Sequence, residues 1–231
     1  MNLILIATAP VLIILFYIYY RDKYEKEPFG LLIKSLIGGM LICIPIIFGE
    51  QWTASMLLPY KNNQFIDAFM DAFFVASFWE ESFKLTAVML LVWRNKNFNE
   101  RFDGIVYAVF VSLGFALIEN IMYVVNTDNG LHTGIARAFT AVPAHAMFGV
   151  MMGYHLGLAR FIGKHQSFHL FNAFFYPFLF HGLYDFILMS QSKWLLLTFA
   201  PLMVYLYIRI KKRLLQHSND SVFKPLNLSD D

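Results

Sequence analysis

The chain of 231 residues is 58% hydrophobic and 18% aromatic but only 15% charged, and its net charge is +2. Soluble domains run at ~45–50% apolar and ~25% charged, and one of this length has too little interior to hide the surplus. The composition therefore excludes a soluble globule and makes the lipid bilayer the natural solvent. The small net charge gives no field for nucleic acid, and the single cysteine, Cys43, excludes an intrachain disulfide or a CxxC site.

A helix needs ~20 apolar residues to cross the hydrocarbon. Segments at about 2–20, 31–49, 67–93, 104–125, 135–159, 168–190 and 194–210 qualify. The expected fold is all-α, a polytopic membrane protein of about seven transmembrane helices. No Lys or Arg precedes the first apolar run, whereas Arg21, Lys23 and Lys26 follow it, so it reads as a retained span and not a cleaved signal. Cationic residues then recur in alternate connections: Arg94, Lys96 and Arg101, then Arg160 and Lys164, then Arg209, Lys211, Lys212 and Arg213. The other loops hold only Lys61 and Lys193. The positive-inside rule gives an N-out, C-in orientation. A membrane domain is expected over 1–213, with a short polar cytoplasmic tail over 214–231 that ends in Asp230 and Asp231. The loop at 50–66 reads as outside, with Glu50, Asp67 and Asp71 solvated near the outer surface.

Ionisable residues are costly inside a bilayer, at least ~2.5–3.5 kcal/mol each on insertion scales. Four consecutive spans nevertheless carry them: Glu80, Glu81 and Lys84 in the third, Glu119 in the fourth, Arg137 and His145 in the fifth, His181 and Asp185 in the sixth. At a rise of ~1.5 Å per residue, Glu119 lies ~22 Å from the inner edge, His181 ~20 Å, and His145 ~12 Å below the outer edge. These levels converge in the outer half of a core ~30 Å thick. Glu80 and Lys84 share a helix face, as do His181 and Asp185, each at i,i+4; Glu81 points ~100° away. Pro143 and Pro177 each precede a histidine and can open the helix locally. Arg137, at the outer end of its span, is expected to snorkel to the interface. Gly149, Gly153 and Gly157 form a small-xxx-small ladder for close helix packing.

The absences narrow the chemistry. There is no HExxH helix, no GxSxG elbow, no GxGD partner for Tyr184-Asp185 and no P-loop. The residues themselves allow a structural or sensory subunit with buried polar glue between its helices, and two more specific classes. One is a peptidase in which Glu80 or Glu81 is the general base, beside Lys84 as charge partner. Glu119, His145 and His181 then hold a zinc ion (Zn2+), and Asp185 orients His181. In a metal-free version Glu80 and Glu119 activate water while His181 and Asp185 donate to the oxyanion. The other class is a proton- or ion-coupled transporter or channel using the same Glu, His and Lys residues. Such a protein is expected to show an internal repeat, and none is visible.

Four elements stand in order: Glu80-Glu81-Ser82-Phe83-Lys84, Phe115-Ala116-Leu117-Ile118-Glu119-Asn120, His145, and His181-Gly182-Leu183-Tyr184-Asp185. In this order, EExxK, FxxxE and HxxxD on separate spans, the chain resembles the PrsW family of bacterial intramembrane proteases, distant relatives of the CAAX prenyl endopeptidases and the CPBP proteins. Tyr24-Glu25-Lys26-Glu27-Pro28 and Asp103-Gly104-Ile105-Val106-Tyr107 extend the likeness, from Met1 to about Arg213. The resemblance implies a multi-pass protease of the bacterial cell membrane, classed among metallopeptidases. It implies a first cut in a single-span membrane protein such as an anti-sigma factor. It also places Glu80, Glu81, Glu119, His145, His181 and Asp185 in the site.

Overall fold

The structure, a computed structural model, describes residues 3–225. Met1 and the acidic end at Asp230 and Asp231 lie outside the described residues. Among these residues there are helices and no strand. The chain runs through α1 (Leu3–Arg21), α2 (Phe29–Leu41), α3 (Cys43–Leu57), α4 (Gln64–Met70), a π-helical stretch (Asp71–Ser77), α5 (Phe78–Leu91), α6 (Arg101–Asn126), α7 (Gly130–Phe139), α8 (Ala141–Phe161), α9 (Gln166–Met189) and α10 (Lys193–Asn219). Several of these join end to end, so that seven rods follow the seven apolar segments. Five of the rods, 3–21, 29–60, 101–126, 130–161 and 193–219, are long and apolar enough to cross a membrane. The remaining two, 64–91 and 166–189, carry Glu80, Glu81, Lys84, His181 and Asp185, the polar residues that lower their hydropathy. The molecule is an all-α polytopic membrane protein.

Two rods break where a proline occupies the first turn of the second helix. Pro45 lies in the first turn of α3 and Pro143 in that of α8, positions where a missing N–H costs no helical bond. The α7–α8 joint is Thr140, at φ −122° and ψ −76°. The third rod has no proline at its irregularity. Its π-helical stretch ends at Ser77, three residues before Glu80, and shifts the phase of every later side chain. The second rod runs to Tyr60, so Glu50 belongs to a helix and not to an outer loop. From residue 214, where a tail was expected, α10 continues to Asn219 with Leu214, His217 and Ser218 buried.

Helix α6 is the centre of the bundle, with 78% of its most apolar stretch buried, against 11% for α10. Glycine makes that centrality feasible. A Cβ on Gly153 would stand 2.2 Å from the Gly104 carbonyl oxygen, and one on Gly157 2.4 Å from the Arg101 carbonyl. On the opposite face of α6, a Cβ on Gly39 would stand 2.0 Å from the Val111 carbonyl, and one on Gly114 2.1 Å from that of Leu36. The backbones of α2, α6 and α8 thus touch without an intervening side-chain layer, the packing mode that replaces hydrophobic burial inside lipid.

At the end of the bundle opposite the 61–63 turn, the 22–28 and 92–100 loops interlock through acids. Glu100 and Asp103 form a reciprocal capping box at the start of α6. Asp103 accepts from the Asn99 and Glu100 amides, both at 2.7 Å. Glu27 accepts from the Tyr107 hydroxyl, its own amide donates to Asp22 at 3.3 Å, and Asn99 donates to Glu25 at 2.9 Å. Burial, then the neighbouring Asp103 carboxylate, pushes the Glu27 carboxyl up to about 10 from 4.5. Burial likewise pushes Asp22 up to about 7 from 3.8.

Two outcomes are expected. Gly153→Ala must push α6 and α8 apart and lower the unfolding midpoint in detergent, at a cost of about 1–3 kcal/mol. Both raised carboxyls bind a proton more tightly folded than unfolded, so their contribution is full below the unfolded values and is lost as pH rises through 7 and then 10. Thermal stability should therefore fall between about pH 5 and pH 9, and Glu27→Gln should flatten that slope.

Candidate active site

The rods converge in the half of the bundle nearest the 61–63, 127–129 and 190–192 turns. Lys84 is at the centre, with no exposure to solvent. Its ammonium donates to Glu80 at 2.9 Å and to Glu81 at 2.8 Å, and reaches His145 Nδ1 at 3.2 Å. The ring of Phe115 lies 4.4 Å from Nζ, so the phenylalanine one turn before Glu119 supplies a cation–π face. An ammonium only donates, so His145 Nδ1 accepts and its proton sits on Nε2. That nitrogen faces Glu119 at 2.8 Å.

The second histidine has the same kind of support. His181 Nδ1 faces Glu81 at 2.8 Å, and Nε2 lies 3.2 Å from Asp185 and 3.9 Å from Glu80. Phe148 stacks on its ring at a centroid distance of 5.0 Å, and the two imidazoles stand edge to face at 5.3 Å. Gly182, next in the chain, allows this placement: a Cβ there would meet the Phe73 ring of the π-helical stretch at 2.4 Å. One turn earlier, Ser77 donates to the Phe178 carbonyl at 2.6 Å, which fastens α9 to the same stretch just beyond Pro177. The irregular helix therefore sets both Glu80 and Glu81 and the height of His181.

All seven residues singled out in the sequence, Glu80, Glu81, Lys84, Glu119, His145, His181 and Asp185, lie in this one network. Their places in it differ from the expectation. Glu81 has no exposure and is not in the cavity wall, which puts it behind the site and away from water. Glu119 stands outside the tightest donor group, because one oxygen already meets His145 at 2.8 Å and Arg137 at 2.7 Å. The compact set is Glu80, His145 and His181, one ligand atom from each lying within 4.8 Å of the others. Beside the expected metal set of Glu119, His145 and His181, the geometry offers Glu80 with the same two histidines as a candidate set.

Arg137 is the residue misplaced by sequence reasoning. It turns inward, donating from Nε to Asn120 at 2.7 Å, pairing with Glu119 and covering the Tyr123 ring at 4.1 Å. Its position at a span end suggested snorkelling; the Glu119-Asn120 pair opposite it was the signal that could have redirected the reading. Glu50 and Asp71 are likewise drawn in. Both line a cavity of about 690 Å³ that also reaches Glu80, Glu119, His145 and Asp185. Lys61 clamps Asp71 at its mouth, at 2.6 Å.

The donor chemistry suits a divalent cation. Two imidazoles and a carboxylate are a common set for a hydrolytic zinc site with room for water. Four carboxylates, Glu80, Glu81, Glu119 and Asp185, share the network with two permanent cations, Lys84 and Arg137, leaving an excess of two negative charges with the imidazoles neutral. Such an excess in a buried site calls for a compensating cation or protons.

With this geometry in view, comparison with known proteins is informative. The family model for PrsW family intramembrane metalloproteases matches residues 27–210. Protease PrsW of Oceanobacillus iheyensis is 39% identical over 214 residues, covering 93% of this chain and 95% of that protein. Protease PrsW of Bacillus subtilis is 37% identical over 200 residues, 86% of this chain and 88% of its own length. Protease PrsW of Geobacillus kaustophilus is 37% identical over 193 residues, 84% and 82%. No solved structure matches. The chain belongs to the PrsW family of intramembrane metalloproteases and is a multi-pass bacterial membrane protease.

Proposed function

We propose that this protease hydrolyses one peptide bond of a single-span membrane protein, of the anti-sigma-factor kind, as the first cut of a regulatory cascade. The substrate class rests on the family resemblance. The place of the cut rests on the cavity, which runs from Glu50 and Asp71 down to Glu80, His145 and Asp185. With seven spans and the N-out, C-in orientation given by loop charge, that cavity opens to the outer side and the cut falls in the outer half of the membrane.

Glu80, His181 by Nε2 and His145 by Nδ1 would hold a divalent cation, zinc being the candidate, with Lys84 giving up its hydrogen bond to that His145 nitrogen. When bound, it would polarise the scissile carbonyl and the attacking water. The remaining groups act around that set. Glu81 holds His181 by Nδ1 and Glu119 holds His145 by Nε2, each fixing an imidazole from a neighbouring helix. Arg137 keeps Glu119 in place, and Lys84 ties Glu80 to Glu81. Of the four carboxylates in the network, Asp185 is the one left for proton transfer: it lines the cavity and, among the described residues, faces no Lys or Arg partner. It takes a proton from water as the oxygen attacks the carbonyl carbon. It then gives that proton to the leaving amine as the C–N bond breaks. The observation that carries this reading is the compact Glu80, His145 and His181 set with a carboxylate behind each ring.

Reconstituted protein and a single-span substrate provide the test. Glu80→Gln and His145→Ala should lose both bound metal, measured by elemental analysis, and cleavage. Asp185→Asn should retain metal while cleavage falls about 10²–10⁴-fold. Glu81→Gln and Glu119→Gln should weaken metal affinity about 10–100-fold. Cleavage at the normal rate by metal-stripped protein would remove the cation from the reaction. Normal cleavage by Asp185→Asn would remove the assigned base.

A further inference from the structure

Far from the active site, α8, α9 and α10 meet around a second cavity, of about 110 Å³. Its polar wall is Tyr154, His155, Tyr176, Arg209 and Arg213. No carboxylate lines it. Arg213 is held by the Tyr154 hydroxyl at 2.7 Å and Gln216 at 3.2 Å, with its guanidinium 4.3 Å from the Tyr154 ring centre. Arg209 makes no hydrogen bond or ion pair among the described residues; its one contact of this kind is the Tyr205 ring at 5.9 Å. His155 stacks on Tyr176 at 5.2 Å and shares a proton position with His169, Nδ1 to Nδ1 at 3.3 Å. The carboxylate at the end of α10, Asp220, is taken by Arg101 at 3.1 Å.

We infer that this cavity binds the phosphate of an anionic phospholipid headgroup. The ligand must be anionic, because two guanidiniums face the cavity without a counter-ion. Planar guanidiniums beside phenol and imidazole donors match the tetrahedral oxygens of phosphate. The volume equals a few water molecules at ~30 Å³ each, enough for a phosphate group but not for a whole lipid, whose chains would lie outside along Phe180 and Tyr205. Depth points the same way. Arg209 is sixteen residues beyond Lys193, or ~24 Å along α10, close to the far boundary of a ~30 Å core. Basic pockets between spans at the cytoplasmic face are where such headgroups bind. This places the site in the inner leaflet, and in that respect it rests on the C-in orientation proposed above. Positive-inside topology alone does not account for it: Lys211 and Lys212, on the same turn of α10, do not line the cavity.

Purified protein in neutral detergent, titrated with phosphatidylglycerol or phosphatidylcholine and read by native mass spectrometry, tests binding without reference to orientation or to cleavage. Wild type should retain phosphatidylglycerol in preference to phosphatidylcholine. Arg209→Gln with Arg213→Gln should weaken that retention about tenfold or more. Lys211→Gln with Lys212→Gln, which removes the same charge outside the cavity, should leave it unchanged, and so should millimolar inorganic phosphate. Arg209→Gln alone breaks no hydrogen bond or ion pair among the described residues, only the Tyr205 ring contact, and guards against misfolding of the double variant; it should show part of the loss. Equal retention by the double arginine variant and wild type, or equal losses in the arginine and lysine pairs, would overturn the proposal. Displacement of the lipid by inorganic phosphate would overturn the lipid as the source of the anion. Failure of the active-site variants to lose cleavage would leave these binding results untouched.

Discussion

A single ammonium group organises the candidate active site. Lys84, wholly buried, touches two carboxylates of its own helix and an imidazole of α8. Two adjacent glutamates in lipid would repel one another and each would demand solvation; the lysine between them turns that repulsion into a clasp. Removing one member of a buried ion cluster costs about 3–5 kcal/mol, because the others are left uncompensated. Local rigidity follows from the same arrangement. Glu81 is fixed by Lys84 and in turn fixes His181; Lys84 also fixes the tautomer of His145, which then donates to Glu119. Charges that would be a liability singly become a frame collectively, and the frame reaches α5, α6, α8 and α9.

The sequence showed a large part of this and missed a definable remainder. Buried charges in lipid are so costly that those of four consecutive spans were expected to meet, and helical rise alone placed Glu119, His145 and His181 at one depth. What one-dimensional spacing could not show was the azimuth of each residue. The π-helical stretch before Glu80 rotates α5 relative to a regular helix, and no proline or glycine announces it. The sequence left Glu80 and Glu81 as alternative bases; in the structure Glu81 meets Lys84 and His181 away from the cavity wall. The break at Thr140 separates α7 from α8, so Arg137 sits on a short helix free to point inward. Read as part of one continuous span, it seemed destined for the interface.

The loop charges carry a similar lesson. Lys and Arg counts suggested topology, but the acids in the same loops were silent, since acids contribute little to orientation. In the structure Asp22, Glu27, Glu100 and Asp103 are buried together and join the first and third connections. Tyr107 donates to Glu27 and the Asn99 amide to Asp103 within this cluster. Lys26 is also drawn back, donating to the Tyr19 and Asp22 carbonyls that end α1. A residue counted as a cytoplasmic charge thus also acts as a helix cap.

The glycine crossings make the two walls of the active-site cavity unequal in compliance. Where α6 meets α2 and α8, main chain bears on main chain, and sliding by even a fraction of a turn would drive carbonyls into one another. The facing wall has no such lock. Helix α3 buries only Cys43, Ile46 and Gly49, and it holds α5 through the Trp79 indole, which donates to Thr53 at 2.8 Å and rests edge-on to Trp52. Rings and hydroxyls can re-pack where carbonyls cannot. Of the two walls, the one beside α3 is therefore the one able to yield, while the α6–α8 unit holds Glu119 and His145 in place.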